Sequence, residues 1–273
     1  MTSHLEDHVI PASRQREKAR DNLKWIGQDM KRVEDPRLLT GKGKYIDDID
    51  LPNMAHAAVL GSPHAHARVK SIDVSKAEKL PGVILVFTAK DAAEQTAQVA
   101  SFSSPPVPQF CMAIDKIRHV GEVVAAVVAE DPYIAQDAID LIEVEYEPLP
   151  ANVDPEKAIH ATGAAVLHPE RGPTNCAYNQ EFKFGPVDED FAKAEVVVRR
   201  KVKWSRSGAQ PIETVGAIAE FDEGTGRFTC HANTSFYNVV NFVIAGALKV
   251  PPTHLKIIPL LEIISVQVFR AKL

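Results

Sequence analysis

Two histidines, His64 and His66, are the residues whose type and spacing come closest to a metal-binding pattern. On an extended segment, side chains two residues apart point to the same face, so both imidazoles could reach one ion. A zinc-type site needs at least one more protein ligand, and none lies nearby in the sequence. We therefore favour a pair of structural loop histidines and predict no metal ligand.

Three glutamates, Glu143, Glu145 and Glu147, alternate along a segment with the pattern of a strand. Paired carboxylates are a common means of acid–base catalysis. Acidic side chains are seldom buried, however, and the alternation places all three on one face. The pattern indicates a solvated strand face, and we predict no catalytic residue.

The charges argue against a protein that binds nucleic acid. Lysine and arginine total 31 against 36 aspartate and glutamate residues, which gives a formal net charge of −5. The basic run at 199–203 lacks the interleaved aromatic residues that stack on bases. Phosphate-loop, dinucleotide-binding, C-x-x-C and H-E-x-x-H patterns are absent from the sequence.

Cysteine usage and hydropathy predict a cellular location. Cys111, Cys176 and Cys230 are far apart and odd in number, so they cannot form a disulfide scaffold. Free or buried thiols are typical of a reducing compartment. The N-terminus has no apolar run of signal-peptide length, and no stretch approaches the ~20 apolar residues of a membrane span. We therefore predict a soluble, cytoplasmic protein with no membrane partner.

The elements that would position these residues form an α/β arrangement. Of 273 residues, 45% are hydrophobic and 25% charged, which suits one large or two modest globular domains. Residues 123–129 are apolar throughout, as in a strand covered on both faces. Asp131 and Pro132 then supply an N-cap and a first helical residue, and residues 143–146 alternate as a further strand.

A second structured region follows a loop-rich stretch. Strands are predicted at 196–204, 217–221 and 227–231, with a glycine-containing hairpin turn between the last two. A helix with an apolar stripe comes next. Its N-cap is expected at one of three adjacent residues, Asn233, Thr234 or Ser235.

Six segments in unbroken order resemble the large subunits of the molybdenum hydroxylases, the family of xanthine dehydrogenase, aldehyde oxidase and aerobic carbon monoxide dehydrogenase. Of these three enzymes, the segments most resemble aerobic carbon monoxide dehydrogenase. Six ordered segments are far more specific than one short motif. They are RVEDPRLLTG at 32–41, YIDDI at 45–49, SPHAHARV at 62–69, LPGV at 80–83, VGE at 120–122 and VEYEPLPA at 144–151.

That resemblance implies a domain order. It places an α/β hammerhead domain at 38–150, after an N-terminal extension at 1–37 and before a linker at 151–194. Residues 195–273 would be the incomplete start of a molybdopterin-binding domain, whose usual Pro-x-Glu matches residues 211–213. The fold class is α/β, or α+β in broader terms.

The resemblance also implies a chemistry and a set of partners. In the intact enzyme, a molybdenum–pterin cofactor supports oxidative hydroxylation with oxygen taken from water. Partner subunits carry FAD and two iron–sulfur clusters, which receive the electrons. Aldehydes, N-heterocycles such as purines, and carbon monoxide are all substrates of enzymes with this N-terminal architecture, so the substrate stays open.

Two departures from the family pattern concern the cofactor. Where the family has Thr-Gln, this chain has Thr234-Ser235, and the shorter serine could reach the cofactor only through a water. Ser235 is thus the one candidate cofactor-contacting residue.

Residues 260–264 replace a glycine-rich loop, and the sequence stops before the family's catalytic glutamate. We expect a fragment or a disrupted frame that binds no cofactor alone. The alternative is a catalytically silent hammerhead module that acts through protein contacts.

Overall fold

The chain divides into two units, residues 1–44 and 45–273. The computed structural model describes residues 31–101, 106–205, 208 and 213–260. Within these ranges no helix has both the length and the apolarity that crossing a membrane requires.

In the described part of the first unit, residues 31–44, the chain forms a short helix, α1 (Asp35–Leu39), with proline in its first turn. Arg32 Nε lies 2.9 Å from an Asp35 carboxylate oxygen at its start. At its end, the Thr40 hydroxyl donates to the Pro36 carbonyl at 2.7 Å. Residues 1–30 of the predicted N-terminal extension lie outside the described ranges.

The described part of the second unit interleaves strands and helices, which confirms the α/β fold class. The strands are β1 (His56–Gly61), β2 (Ala67–Asp73), β3 (Val83–Thr88), β4 (Lys116–Ile117), β5 (Val123–Ala129), β6 (Glu143–Pro148), β7 (Ala217–Asp222), β8 (Arg227–Ala232) and β9 (Leu255–Pro259). The helices are α2 (Ala89–Gln95), α3 (Pro132–Asp140), α4 (Pro155–Ala158), α5 (Val187–Lys193) and α6 (Tyr237–Ala247). Single 3₁₀ turns lie at Ile46–Asp48, Ala77–Lys79, Gly163–Ala165, Pro169–Arg171 and Pro252–His254.

Strand β5 is the centre of the first sheet, whose order is β1-β5-β3 with antiparallel neighbours. Ala125 and Val127 belong to a cluster with the buried face of α3. On the opposite side, Val124 packs with β2 and β4, and Ala126 packs with α2. Both faces of β5 are therefore covered, which is why its sequence lacks polar alternation.

Helix α3 begins where the sequence predicts. Asp131 is the N-cap, and its side chain accepts bonds from the backbone N–H groups of Tyr133 at 2.7 Å and Ile134 at 3.4 Å. Pro132 occupies the first helical position, where a missing N–H costs nothing. The stripe that α3 buries against the first sheet consists of Ala135, Ala138 and Ile139.

The second sheet has the order β4-β2-β6, again antiparallel. The three glutamates of β6 are all exposed, which confirms the prediction of a solvated face. Two of them pair with lysines: Glu143 with Lys76, and Glu147 with Lys70, whose ammonium lies 3.9 Å away. Glu145 accepts from the Ser71 hydroxyl at 3.4 Å.

The third sheet has the order β7-β8-β9. The predicted hairpin joins β7 to β8, and Asp222 closes its turn by accepting from the Gly224 and Thr225 N–H groups at 2.9 and 3.3 Å. Helix α6 then carries the chain to β9, which runs parallel to β8. Ala245 of α6 packs against Cys230 and Leu255, and burial raises the pKa of the Cys230 thiol.

Two predictions for this region are wrong. Residues 196–204 form no strand, because no described segment pairs with their backbone, and their side chains are exposed. Neither Asn233, Thr234 nor Ser235 caps the next helix. The N-cap of α6 is Phe236, without a side-chain cap bond. The Asn233 amide instead forms hydrogen bonds with backbone groups of residues 214 and 216.

Candidate functional site

The two histidines of the SPHAHARV segment have different surroundings. His66 is buried, and its Nδ1 lies 2.7 Å from the Pro150 carbonyl oxygen. A carbonyl oxygen only accepts, so Nδ1 carries the proton. The His64 ring instead packs against the Tyr146 ring at 4.9 Å. Both histidines therefore stabilise the second sheet, His64 through a residue of β6 and His66 through a residue just beyond its end. Among the described residues, no cluster of three histidine, cysteine or acidic side chains could hold a metal ion.

The predicted cofactor residue, Ser235, lies in the loop between β8 and α6. Its side chain is exposed, as are those of Phe236 and Tyr237. The loop itself is fixed two residues earlier by Asn233. Asn233 Oδ1 accepts from the Gly216 N–H at 3.1 Å, and Nδ2 donates to the Thr214 carbonyl at 2.5 Å.

Glu213 extends this network to the turn that precedes β1. Its Oε1 accepts from the backbone N–H of Ile46 at 2.8 Å in a buried bond. Its Oε2 is also buried and has no hydrogen-bond partner among the described residues. Glu213 is the described residue of the Pro-x-Glu motif, since Pro211 and Ile212 lie outside the described ranges.

Gly216 allows the same two segments to approach closely. A Cβ added at Gly216 would lie 2.7 Å from Cγ2 of Ile46, well inside van der Waals contact. Ile46 is itself buried. The sequence identifies Glu213 only as part of a motif and predicts Asn233 as a possible helix cap. It does not predict that Asn233 hydrogen-bonds the backbone of residues 214 and 216, which follow Glu213 in the chain. No local pattern signals a contact between segments so far apart in the chain.

A second buried polar cluster lies beside β4. Lys116 is 8% exposed, and its ammonium makes no hydrogen bond or ion pair within the described ranges. Burial, together with the nearby Arg118 charge, lowers the pKa of Lys116. Burial also lowers the pKa of His168, whose Nδ1 lies 2.8 Å from a Glu170 carboxylate oxygen. The Arg118 guanidinium lies 4.0 Å from that oxygen and links β4 to the turn that contains Glu170.

Two family models match the chain. Residues 40–150 match the a/b hammerhead domain of aldehyde oxidase and xanthine dehydrogenase. Residues 167–260 match the molybdopterin cofactor-binding domain. The first match contains the two sheets around β5 and β2, and the second contains the sheet of β7, β8 and β9. The chain therefore belongs to the molybdenum hydroxylase family and corresponds to part of its large, molybdopterin-binding subunit.

Individual relatives support that assignment. The chain is 38% identical to 6-hydroxypseudooxynicotine dehydrogenase complex subunit gamma of Paenarthrobacter nicotinovorans, over 72% of this chain and 25% of that protein. It is 37% identical to the carbon monoxide dehydrogenase large chain of Afipia carboxidovorans, over 93% and 32%. The crystal structure of quinoline 2-oxidoreductase from Pseudomonas putida 86 matches with a TM-score of 0.75 and 36% identity, over 86% and 30%. The chain thus spans about a quarter to a third of the length of these relatives.

The described residues do not by themselves fit a molybdopterin group. At the predicted contact, Ser235 offers one neutral hydroxyl on an exposed side chain, next to exposed aromatic residues. A ligand of that size needs several converging polar groups in a pocket that encloses most of its surface. Residues 261–264, which belong to the segment predicted to replace a glycine-rich loop, lie outside the described ranges. The role of Ser235 at the cofactor stays a prediction.

Proposed function

We propose that this chain supplies the hammerhead domain, residues 38–150, and the opening part of the molybdopterin-binding domain, from about residue 195, to a molybdenum hydroxylase large subunit. In the intact enzyme, the molybdenum–pterin cofactor would support oxidative hydroxylation of an aldehyde, an N-heterocycle or carbon monoxide. Subunits with iron–sulfur clusters and FAD would receive the electrons. We place the assembly in the cytoplasm.

The buried bond between Glu213 and Ile46 is the observation that carries this proposal. It joins the turn before β1 to the segment that enters β7. The hydrogen bond therefore connects the region that matches the hammerhead domain, residues 40–150, to the region that matches the molybdopterin-binding domain, residues 167–260. Asn233 extends the same network to the loop of Ser235. A scaffold of this kind can position a cofactor loop although its own residues hold no cofactor, and we infer that the isolated chain binds none.

A chimeric large chain tests the proposal. Residues 40–260 of this chain would replace the matched segment of the Afipia carboxidovorans carbon monoxide dehydrogenase large chain, and molybdenum and pterin would be measured in the purified protein. We expect cofactor in the chimera and none in the isolated chain. A folded chimera without cofactor would contradict the scaffold role. Stoichiometric molybdopterin on the isolated chain would contradict the inference that the chain alone binds none.

Ser235 can be examined in the same chimera. The longer amide of a Ser235→Gln variant would hydrogen-bond the cofactor directly, so we expect its carbon monoxide oxidation rate to rise several-fold. Ser71→Gln, on the exposed surface of β2, is the matched control and should leave the rate unchanged. Equal rates for both variants would remove Ser235 from the cofactor site. Parallel assays with benzaldehyde and a purine would report on the substrate class.

A second candidate function is a catalytically silent module that acts through protein contacts. The exposed apolar side chains between residues 178 and 204 favour it, among them Phe182, Phe184 and Phe191. A chimera that assembles with partner subunits but retains no molybdenum would support this candidate instead.

A further inference from the structure

Three cationic side chains with unused N–H donors lie around Glu170, where the turn at Pro169–Arg171 meets β4. We call Lys116, Arg118 and Arg171 the cation cluster. The Lys116 ammonium makes no hydrogen bond or ion pair within the described ranges, although Lys116 is only 8% exposed. The Nε atoms of Arg118 and Arg171 are buried and have no hydrogen-bond partner among the described residues. Buried cations are normally paired or hydrogen-bonded, so the cluster has both the charge and the donors to take an anion.

Glu170 supplies a carboxylate to the cluster, but other side chains engage it. His168 Nδ1 lies 2.8 Å from Glu170 Oε1, and Arg118 Nη2 lies 4.0 Å from the same oxygen. Arg118 also donates from Nη1 to the Lys116 carbonyl at 2.9 Å. Burial lowers the pKa of His168, so this histidine adds no positive charge at neutral pH.

The surrounding charges leave the cation cluster with an excess of positive charge. Burial, followed by the Arg118 charge, lowers the pKa of Lys116, and the Glu170 charge offsets this only in part. The exposed side chains of Asp115 and Arg68 act on Lys116 with opposite signs, so they oppose each other. Three cations thus stand against the single carboxylate of Glu170, and a doubly charged anion would balance them.

We propose that Lys116, Arg118 and Arg171 form a binding site for a small tetrahedral oxyanion of the phosphate or sulfate class. Guanidinium and ammonium groups are the side chains that bind such anions, through charge-assisted hydrogen bonds. The low exposure of Lys116 favours a free ion over a phosphate group carried on a larger molecule. A bound ion would fasten the turn at Pro169–Arg171 to β4. This inference goes beyond the proposed function and does not depend on it.

Calorimetric titration of inorganic phosphate into the isolated chain at pH 7 provides the test. We expect one saturable site in the parent chain and at least tenfold weaker binding in Lys116→Met. Lys70→Met, on the exposed surface of β2, is the matched control and should bind phosphate as the parent does. No saturable site in the parent chain, or equal binding by the parent and Lys116→Met, overturns the inference.

Removing the carboxylate should have the opposite effect. Glu170→Gln keeps an oxygen acceptor for His168 but loses the negative charge that repels an anion, so we expect phosphate to bind several-fold more tightly. Glu145→Gln, on the exposed face of β6, is the matched control and should leave the affinity unchanged. Unchanged or weaker binding in Glu170→Gln would place the phosphate away from the cation cluster.

Two further ligands define the class of anion. Sulfate should compete with phosphate for the same site. Adenosine monophosphate should bind at least tenfold more weakly than phosphate, because a nucleoside does not fit beside a side chain as buried as that of Lys116. Simultaneous binding of sulfate and phosphate, or nucleotide binding as tight as that of phosphate, overturns the choice of a small free oxyanion.

NMR of isotope-labelled lysine side chains locates the ion independently of affinity. A bound anion favours the charged form of a neighbouring amine, so the pKa of Lys116 should rise when phosphate is added. The titration of Lys70 should not change. A Lys116 titration that is the same with and without saturating phosphate overturns the inference, whatever the calorimetry shows.

Discussion

The Glu213 carboxylate and the Ile46 backbone N–H are 2.8 Å apart in the folded chain although 167 residues separate them in sequence. Glu213 is 9% exposed, so water does not compete strongly for this bond. Asn233 holds the backbone of Thr214 and Gly216, one and three residues further along the same stretch. One short segment therefore fixes both the turn before β1 and the loop that leads to α6.

Removing the Glu213 carboxylate should destabilise the second unit. In Glu213→Ala the buried Ile46 N–H loses its acceptor, and we expect the free energy of unfolding to fall by about 1–3 kcal/mol. Glu213→Gln keeps a side-chain oxygen and should lose less. Denaturant unfolding and hydrogen exchange at the Ile46 amide measure both effects. Glu223→Ala, in the exposed hairpin turn, is the control, and an equal loss there would refute a specific role for Glu213.

Gly216→Ala tests the close approach to Ile46. The new methyl group would overlap Cγ2 of a buried side chain, so we expect a loss of about 1–3 kcal/mol in the free energy of unfolding. Ile46→Ala removes Cγ2, and the double variant should be more stable than the sum of the single effects predicts. Strict additivity would show that the two residues do not clash.

A second glycine provides the matched control for that substitution. Gly246 lies within α6, and a Cβ there would meet nothing within 4 Å. Gly246→Ala should therefore raise the free energy of unfolding by about 0.5–1 kcal/mol, because alanine favours helix. The opposite signs expected at the two glycines separate steric overlap from backbone propensity.

Local chemistry made the hammerhead elements predictable. Strand β5 is apolar on both faces because both faces are covered, and α3 begins at an aspartate followed by proline for reasons contained in those two residues. The exposed glutamates of β6 follow from alternation and the cost of burying charge. Each of these inferences needs only a few neighbouring residues.

The errors in the second region have a different cause. A strand requires a partner edge, and residues 196–204 have the composition of a strand without a described edge to join. Asn233 has the chemistry of a helix cap, but residues 214 and 216 compete for its amide and bind it. The Glu213–Ile46 bond depends on tertiary contact alone. Tertiary competition of this kind is invisible to local pattern, and it decides the surroundings of the candidate site.

The Asp131 cap gives a prediction from local chemistry alone. Asp131→Ala leaves the first N–H groups of α3 without their acceptor, so we expect a loss of about 1 kcal/mol in the free energy of unfolding. Asp137→Ala, on the exposed side of the same helix, should change stability by less than half as much. Thermal and denaturant unfolding of the two variants decide the matter, and equal losses would argue against a capping role.

Lys116 predicts a dependence of stability on pH. Its folded-state pKa is lowered below the ordinary value of 10.5, mainly by burial, so between those two values the unfolded chain binds more protons than the folded chain. The contribution of Lys116 to the free energy of unfolding therefore rises with pH across that window. Lys116→Met keeps an apolar stem without the charge. It should raise stability by about 1 kcal/mol at neutral pH and flatten the rise toward pH 10.

Denaturant unfolding of the parent chain and of Lys116→Met, from pH 7 to 10, measures that difference. Lys70→Met is the control, because Lys70 is exposed on β2 and sits opposite Glu147 at 3.9 Å. An exposed pair of this kind contributes little, so the control should run parallel to the parent chain at all pH values. If Lys116→Met also runs parallel, the ammonium group is solvated in the folded chain and its burial beside β4 has no electrostatic cost.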